Sequence, residues 1–182
     1  MNILICYATT EGQTRKIAQA MTETAIEAGH RATCIDATIV DDKEIDRHDA
    51  VIMAGSVHVG RYQSALAHRV TNWLDRLVTK PNAFVSVSLA AASDDPDDLA
   101  DIEKCAAQLF EQTGWTPDKV HHAAGAFRYT QYDFFKRWAM RFIAMQKGAS
   151  TDTSRDTEYT DWDALKRFTR EFLAFADQRI AA

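Results

Sequence analysis

The sequence is poor in glycine and proline, which narrows the fold classes open to it. Only 7 Gly and 3 Pro occur among the 182 residues, so collagen-like repeats and Pro/Gly-rich disorder are excluded. Hydrophobic residues make up 46% of the chain, which is enough apolar material for the core of one domain. We therefore expect residues 1–182 to form a single domain with long helices.

Cysteine clusters, excess positive charge and long apolar runs are also lacking. Cys6, Cys34 and Cys105 are widely spaced, and the six His residues form no ligand pattern such as HExxH, so we predict neither a disulfide framework nor a metal site. A formal net charge of −5 argues against general nucleic-acid binding. No apolar run approaches the roughly 18 residues of a membrane-spanning helix, and no secretory signal precedes the first apolar segment. These absences predict a cytoplasmic protein.

Short apolar segments alternate with amphipathic segments along most of the chain. The pattern predicts strands at residues 2–7, 31–36, 49–54, 83–89 and 120–126, and helices at 13–28, 64–78, 96–113 and 162–180. Such alternation predicts an α/β fold, a doubly wound five-stranded parallel sheet with helices on both faces. Ligands of such sheets bind at the carboxyl ends of the strands. Residues 127–155 do not fit the alternation and are predicted to be an insertion that carries specificity.

Three helix ends carry recognisable capping signals. Gly29 follows the first predicted helix and is typical of a C-cap. Four aspartates between residues 94 and 98 surround the start of the third, where they favour capping and dipole compensation over metal binding. Thr160 and Asp163 are spaced to form a capping box at the start of the last helix.

A threonine-rich loop joins the first predicted strand to the first predicted helix. It consists of Thr9, Thr10, Glu11, Gly12, Gln13 and Thr14. Backbone N–H groups at a helix N-terminus, together with hydroxyls, form a natural phosphate site. The loop has no Walker-type lysine and no GxGxxG pattern. The alternative, a capping box of Thr10 and Gln13, does not require three threonines and a glycine in six positions.

The pattern T-x-x-G-x-T after an N-terminal strand resembles the FMN-phosphate loop of flavodoxins. A phospho-receiver domain of similar architecture would need acidic residues where this chain has Cys6-Tyr7 and Ala54-Gly55. Three further motifs narrow the resemblance to one family within this fold. They are G-x-Y-x-S-A at 60–65, G-A-x-R-Y at 125–129 and T-D-T…Y-T-D-W within 151–162. Over nearly the whole chain it is similar to the menaquinone-dependent protoporphyrinogen IX dehydrogenase family.

The resemblance implies a flavodoxin-like strand order, 2-1-3-4-5, and FMN as the cofactor. The implied FMN-binding residues are Thr9, Thr10, Glu11, Gly12, Gln13, Thr14, Ser56, Val57, His58, Val59, Gly60, Ser88, Leu89, Ala90, Ala91 and Thr153. The implied reaction is oxidation of protoporphyrinogen IX to protoporphyrin IX in haem biosynthesis, with six electrons passed in three cycles to menaquinone or ubiquinone. A flavodoxin-like electron carrier, another FMN-dependent quinone oxidoreductase and a non-catalytic module of this fold stay open as alternatives.

Two arginine–tyrosine pairs are candidates for binding the substrate. Arg128 and Tyr129 follow the fifth predicted strand, and Arg61 and Tyr62 follow the third. An arginine pairs well with a propionate carboxylate, although a solvated surface arginine explains each position equally well. His58 is either a proton acceptor or a hydrogen-bond donor beside the flavin. Cys6 is expected to be a small buried hydrophobe.

Within the insertion, residues 132–147 have an aromatic and a basic side when placed on a helix. Between residues 127 and 147, five basic residues stand against one acid. This pattern favours an interfacial helix on the cytoplasmic face of the inner membrane, where it would meet the quinone. The residues predicted to face lipid or quinone are Phe134, Phe135, Trp138, Arg141 and Phe142. Packing on the domain or on a second subunit is the alternative, which leaves a homo-oligomer open.

Overall fold

Five parallel strands form the centre of the molecule in the computed structural model, which describes residues 1–127 and 157–182. The strands are β1 (Asn2–Ala8), β2 (Arg31–Asp36), β3 (Ala50–Ser56), β4 (Asn82–Ser88) and β5 (Lys119–Ala124), in the order β2-β1-β3-β4-β5. The α-helices are α1 (Gln13–Glu27), α2 (Ser64–Leu77), α3 (Pro96–Thr113) and α4 (Trp162–Ala181), and short 3₁₀ helices span Glu44–Arg47 and Ala90–Ala92. The predicted fold class and strand order are confirmed.

The central strands β1, β3 and β4 are buried along almost their whole length. Their apolar runs fit a parallel sheet that is covered on both faces. Ala8 of β1 pairs with Gly55 of β3, and Ser56 of β3 pairs with Val87 of β4. The three strands therefore end at the same level, and the loops that follow them start from one edge.

Two hydrophobic clusters hold the helices on the two faces of the sheet. The helices α1 and α4 contribute Ile17 and Phe172 to one cluster, whereas α2 and α3 contribute Trp73 and Leu109 to the other. A Cβ atom at Gly55 would lie 2.4 Å from Cδ2 of Leu66. Glycine at this position therefore lets α2 approach β3 closely, which places the start of α2 beside the carboxyl edge of the sheet.

The capping predictions had mixed outcomes. Asp95 caps α3 by accepting a hydrogen bond from the backbone N–H of Asp97, as expected. Gly29 ends α1 as predicted: it follows the C-cap residue Ala28 in the left-handed conformation, with φ of 88°. Its N–H donates to the carbonyl of Ile26 at 2.9 Å and the N–H of His30 donates to the carbonyl of Ala25 at 3.0 Å, the hydrogen bonds of a glycine C-cap motif. The capping box at the start of α4 is wrong, because Asp161 is the cap and the hydroxyl of Thr160 donates to the carbonyl of Ala124.

The fifth strand is shorter at its carboxyl end than the predicted span 120–126. After Gly125 the chain leaves the parallel sheet, and β6 (Ala126–Phe127) pairs antiparallel with β7 (Thr157–Glu158). The two short strands bring positions 127 and 157 together, and most of the predicted insertion between them is outside the described residues. In the two described ranges, no helix is long and apolar enough to cross a membrane.

Candidate functional site

A cavity of ≈ 60 Å³ opens at the carboxyl edge of the sheet, and we name it the carboxyl-edge cavity. It is lined by Thr9, Thr10, Glu11, Gln13, Thr14, Ser56, Val57, His58, Val87, Ser88, Leu89, Gly125 and Ala126. All except Val87, Gly125 and Ala126 belong to the predicted cofactor-binding set. The loops after β1, β3 and β4 thus meet around one space, as expected for strands that end at the same level.

The N-terminus of α1 faces this cavity without a side-chain cap. Its N-cap residue, Gly12, has φ of 94°, and the part of the chain that the structure describes supplies no capping side chain. The predicted alternative, a capping box of Thr10 and Gln13, does not form. An uncapped helix start offers N–H groups and the positive end of the helix dipole to an anion. By contrast, α3 and α4 each begin with an aspartate cap and an acidic first turn.

The hydroxyl of Thr14 lines the same cavity and lacks a hydrogen-bond partner. Thr14 is fully buried, and its Oγ1 finds no donor or acceptor within the described residues. Leaving a buried hydroxyl unpaired costs about 1–3 kcal/mol, so such atoms are uncommon without a ligand or water to satisfy them. A phosphate oxygen in the cavity would supply the missing partner, so these residues fit a phosphate ester.

The charges around the cavity favour binding of a phosphate group by uncharged hydrogen-bond donors. Among the described residues that line it, only Glu11 and His58 have an ionisable side chain, and none is a lysine or an arginine. Uncharged donors, such as backbone N–H groups and the hydroxyls of the lining threonines and serines, are therefore what the described residues offer to a phosphate group. This agrees with the absence of a Walker-type lysine from the sequence.

Gln63, which the sequence analysis missed, links two of the loops around the cavity. Its amide nitrogen donates to Oγ1 of Thr10 at 3.0 Å and to Oγ of Ser56 at 2.6 Å. Gln63 is the N-cap residue of α2, so the helix start holds the loop after β1 against the end of β3. No local pattern could have identified it, because its partners are 53 and 7 positions away.

The opposite side of the threonine-rich loop contacts the segment before α4. The amide of Gln13 donates to Oγ1 of Thr160 at 2.9 Å, and Lys16 forms an ion pair of 3.0 Å with Glu158. The hydroxyl of Thr160 in turn donates to the carbonyl of Ala124 at 2.7 Å. The first turn of α1 is therefore held against both the end of β5 and the strand β7.

A tight turn follows β3 and borders the cavity. The N–H of His58 donates to the carbonyl of Arg61 at 2.8 Å, and the two residues between them, Val59 and Gly60, have φ of 50° and 74°. A β-branched residue with positive φ is strained. Val59 is 73% exposed, so this turn holds an apolar side chain out to solvent. Val59 and Gly60 do not line the cavity.

The loop after β4 is a short helical turn. Oγ of Ser88 accepts a hydrogen bond of 3.2 Å from the N–H of Ala91. Neither Ala90 nor Ala91 lines the carboxyl-edge cavity. Ala91 instead lines a separate pocket of ≈ 390 Å³ beside His121 and His122 of β5. Burial lowers the pKa of both histidines.

The remaining predicted residues have varied positions. Tyr62 is half-buried, its hydroxyl lies 2.7 Å from Oγ of Ser86, and burial raises its pKa, so this hydroxyl is engaged inside the domain. Arg61 is exposed. Cys6 is fully buried, and burial raises its pKa to about 12, which suits an inert core thiol.

Several predicted site residues are outside the described residues. They are Arg128, Tyr129, Phe134, Phe135, Trp138, Arg141, Phe142 and Thr153. Across residues 1–127 and 157–182, no group of three or more His, Cys, Asp or Glu could hold a metal ion.

Comparison with known proteins gives matches in sequence and in fold. A family model described as a flavodoxin domain matches residues 4–154. A protein of Escherichia coli (strain K12) named protoporphyrinogen IX dehydrogenase (quinone) is 30% identical over 178 residues, 98% of each chain. A solved short-chain flavodoxin, associated with a bacterial microcompartment, has a TM-score of 0.58 at 12% identity and covers 97% of this chain and 99% of its own. The rubredoxin oxygen:oxidoreductase of Desulfovibrio gigas has a TM-score of 0.58 at 16% identity, and this chain spans 37% of its length.

Proposed function

This chain belongs to the flavodoxin domain family, and from that membership we propose that it is an FMN-dependent dehydrogenase that oxidises protoporphyrinogen IX and passes the electrons to a quinone. The observation that carries the FMN part of the proposal is the uncapped start of α1, where the Thr14 hydroxyl lines the carboxyl-edge cavity without a partner among the described residues. The name of the Escherichia coli relative supports the substrate and the acceptor, because the two chains align over 98% of their lengths.

The proposed cofactor contacts follow from the cavity lining. The hydroxyls of Thr9, Thr10 and Thr14 and the N–H groups of the α1 start would bind the phosphate. The loops after β3 and β4 would flank the ring, and His58 and Leu89 line the cavity on these two sides. FMN supplies the electron chemistry when it is bound. The chain binds and orients it, and Gln63 keeps two of the loops in register.

The substrate is proposed to enter from the side where the chain passes from β6 into the insertion. Arg128 and Tyr129 directly follow β6, whose Ala126 lines the cavity. A guanidinium at this position would pair with a propionate of the substrate. Changing Arg128 to Ala should raise the KM for protoporphyrinogen IX, and an unchanged KM would exclude this role.

The proposal is tested by anaerobic turnover of the purified protein. The FMN-loaded chain should be yellow, and it should convert protoporphyrinogen IX to fluorescent protoporphyrin IX when a soluble menaquinone or ubiquinone analogue is added. The matched control is the same protein stripped of FMN, which should not turn over the substrate. Adding FMN back should restore the turnover. A yellow protein without turnover would instead support an electron carrier, and a chain without affinity for FMN would support a non-catalytic module.

Contact with the membrane surface is a further part of the proposal. It is supported by the basic and aromatic residues between positions 127 and 147, which are typical of helices on anionic lipid. In a flotation assay with anionic vesicles, changing Trp138 and Phe142 to Ser should abolish lipid association. Trp162→Ser is the matched control, because Trp162 is 38% exposed on α4 and is not part of residues 127–147. Unchanged flotation of the double variant would exclude this contact.

A further inference from the structure

A second concave surface lies on the other side of the turn after β3, and we name it the α2–α3 groove. Its volume is ≈ 450 Å³, within the range of small-molecule sites. It is lined by Gly60, Arg61, Tyr62, Ser64, Ala67, Cys105, Gln108, Leu109 and Gln112. The thiol of Cys105 donates to the carbonyl of Gly60 at 3.4 Å, which ties the turn to α3.

The charge of the α2–α3 groove is opposite to that of the whole chain. Arg61 lines it, and none of the described residues in its lining is acidic, although the chain has a net charge of −5. None of the ion pairs in the two described ranges involves Arg61. The amides of Gln108 and Gln112 are four residues apart on α3, so they lie on one helix face. The groove therefore offers a ligand two amides and one guanidinium that has no ion-pair partner among the described residues.

The turn between the two concave surfaces adds an apolar contact. His58, at one end of the turn, lines the carboxyl-edge cavity, whereas Gly60 and Arg61 line the α2–α3 groove. Val59 stands between them with 73% of its surface exposed. A ligand that spans the turn would thus meet an apolar side chain first and hydrogen-bond donors beyond it.

We propose that the α2–α3 groove binds the propionate edge of the tetrapyrrole substrate, with Arg61 paired to a carboxylate. The inference rests on the function proposed above, and it adds a carboxylate subsite. A tetrapyrrole with an apolar body and carboxylates on one edge matches the order of Val59 and Arg61 across the turn. The oxidised carbons then lie toward the carboxyl-edge cavity, and the propionates lie away from it. This orientation is the alternative to the propionate contact of Arg128 proposed above, and the KM values of Arg61→Gln and Arg128→Ala decide between the two.

The test compares tetrapyrroles with free and with esterified propionates. Binding of protoporphyrin IX and of its dimethyl ester is measured by fluorescence on the FMN-loaded protein, and KM and kcat are measured with protoporphyrinogen IX. The variants are Arg61→Gln, which removes the cation, and Gln108→Glu, which adds a carboxylate to the groove. Lys104→Gln is the control, because Lys104 is exposed on α3 outside the groove lining and the variant changes the net charge by the same amount as the other two.

The expected result is weaker binding of the tetrapyrrole with free propionates and unchanged binding of its dimethyl ester. Both groove variants should weaken protoporphyrin IX binding and raise KM about tenfold, as expected for a charge-assisted pair, with a smaller change in kcat. They should leave the Kd for FMN and for the dimethyl ester unchanged, and Lys104→Gln should behave like the parent protein. If the parent turns over its substrate but Arg61→Gln matches Lys104→Gln, the groove assignment is wrong and the proposed function stands. If the FMN-loaded parent neither binds porphyrin nor oxidises porphyrinogen, both are wrong.

Discussion

Replacing Thr14 by valine should have opposite effects on the stability of the cofactor-free protein and on its affinity for FMN. Thr14 is fully buried, and its hydroxyl has no partner within the described residues. Valine has nearly the same shape and a similar helix propensity. The change therefore removes one hydroxyl and little else.

The two effects can be estimated from hydrogen-bond energetics. Removing an unpaired buried hydroxyl should stabilise the cofactor-free protein by about 1–3 kcal/mol. If that hydroxyl binds the phosphate of FMN, its loss removes a charge-assisted hydrogen bond worth about 1.5–3 kcal/mol. The Kd for FMN should then rise roughly 10- to 150-fold. Urea unfolding measures the first quantity, and quenching of flavin fluorescence measures the second.

Thr24 provides a matched control on the same helix. It is also buried, but its hydroxyl donates to the carbonyl of Ala20 at 2.8 Å. Thr24→Val should therefore destabilise the cofactor-free protein by about 0.5–1.5 kcal/mol and leave the Kd for FMN unchanged. If Thr14→Val loses stability as Thr24→Val does, or binds FMN as tightly as the parent, the phosphate assignment is refuted.

Three further variants test other parts of the structure. Gly55→Ala should destabilise the protein by about 1–3 kcal/mol in urea unfolding, because the added methyl group would lie 2.4 Å from a leucine side chain of α2. Tyr62→Phe should cost about 1–3 kcal/mol, because it leaves the buried hydroxyl of Ser86 unpaired, without changing the Kd for FMN. Burial lowers the pKa of His121 and His122 from 6.5, so the unfolded chain binds protons at higher pH than the folded one. The free energy of unfolding should therefore decrease as the pH drops below 6.5 towards the pKa values of the folded protein. Changing both His121 and His122 to Gln should make this decrease smaller.

Each of these expectations has a clear contrary result. Unchanged stability of Gly55→Ala would mean that α2 can move away from β3 at little cost. A weaker affinity for FMN in Tyr62→Phe would place the tyrosine hydroxyl in the cofactor site. If stability depends on pH in the same way in the parent and in the double histidine variant, His121 and His122 do not cause this dependence.

Local sequence patterns were sufficient to predict the sheet and the threonine-rich loop that lines the carboxyl-edge cavity. The apolar runs of β1, β3 and β4 reflect burial on both faces, and the span of α3 agrees with its predicted bounds of 96–113. The threonines before α1 could be recognised because they lie within one short loop that leads into a helix. Interactions between residues close together in the chain can be predicted from the sequence, because both partners lie within one short segment.

Other features depend on which distant residues the fold brings together. Gln63 reaches Thr10 across 53 positions, and Thr160 reaches Gln13 across 147, so neither contact has a local signal. The same reason explains why the capping box at Thr160 was wrong, since its hydroxyl is engaged by the end of β5. The sequence alone determined the alternating elements and the threonine-rich loop before α1, whose binding of a phosphate group stays a prediction. Only the tertiary structure decided which side chains brace that loop and that Arg61 faces a groove with α3, because both depend on contacts across the packed sheet.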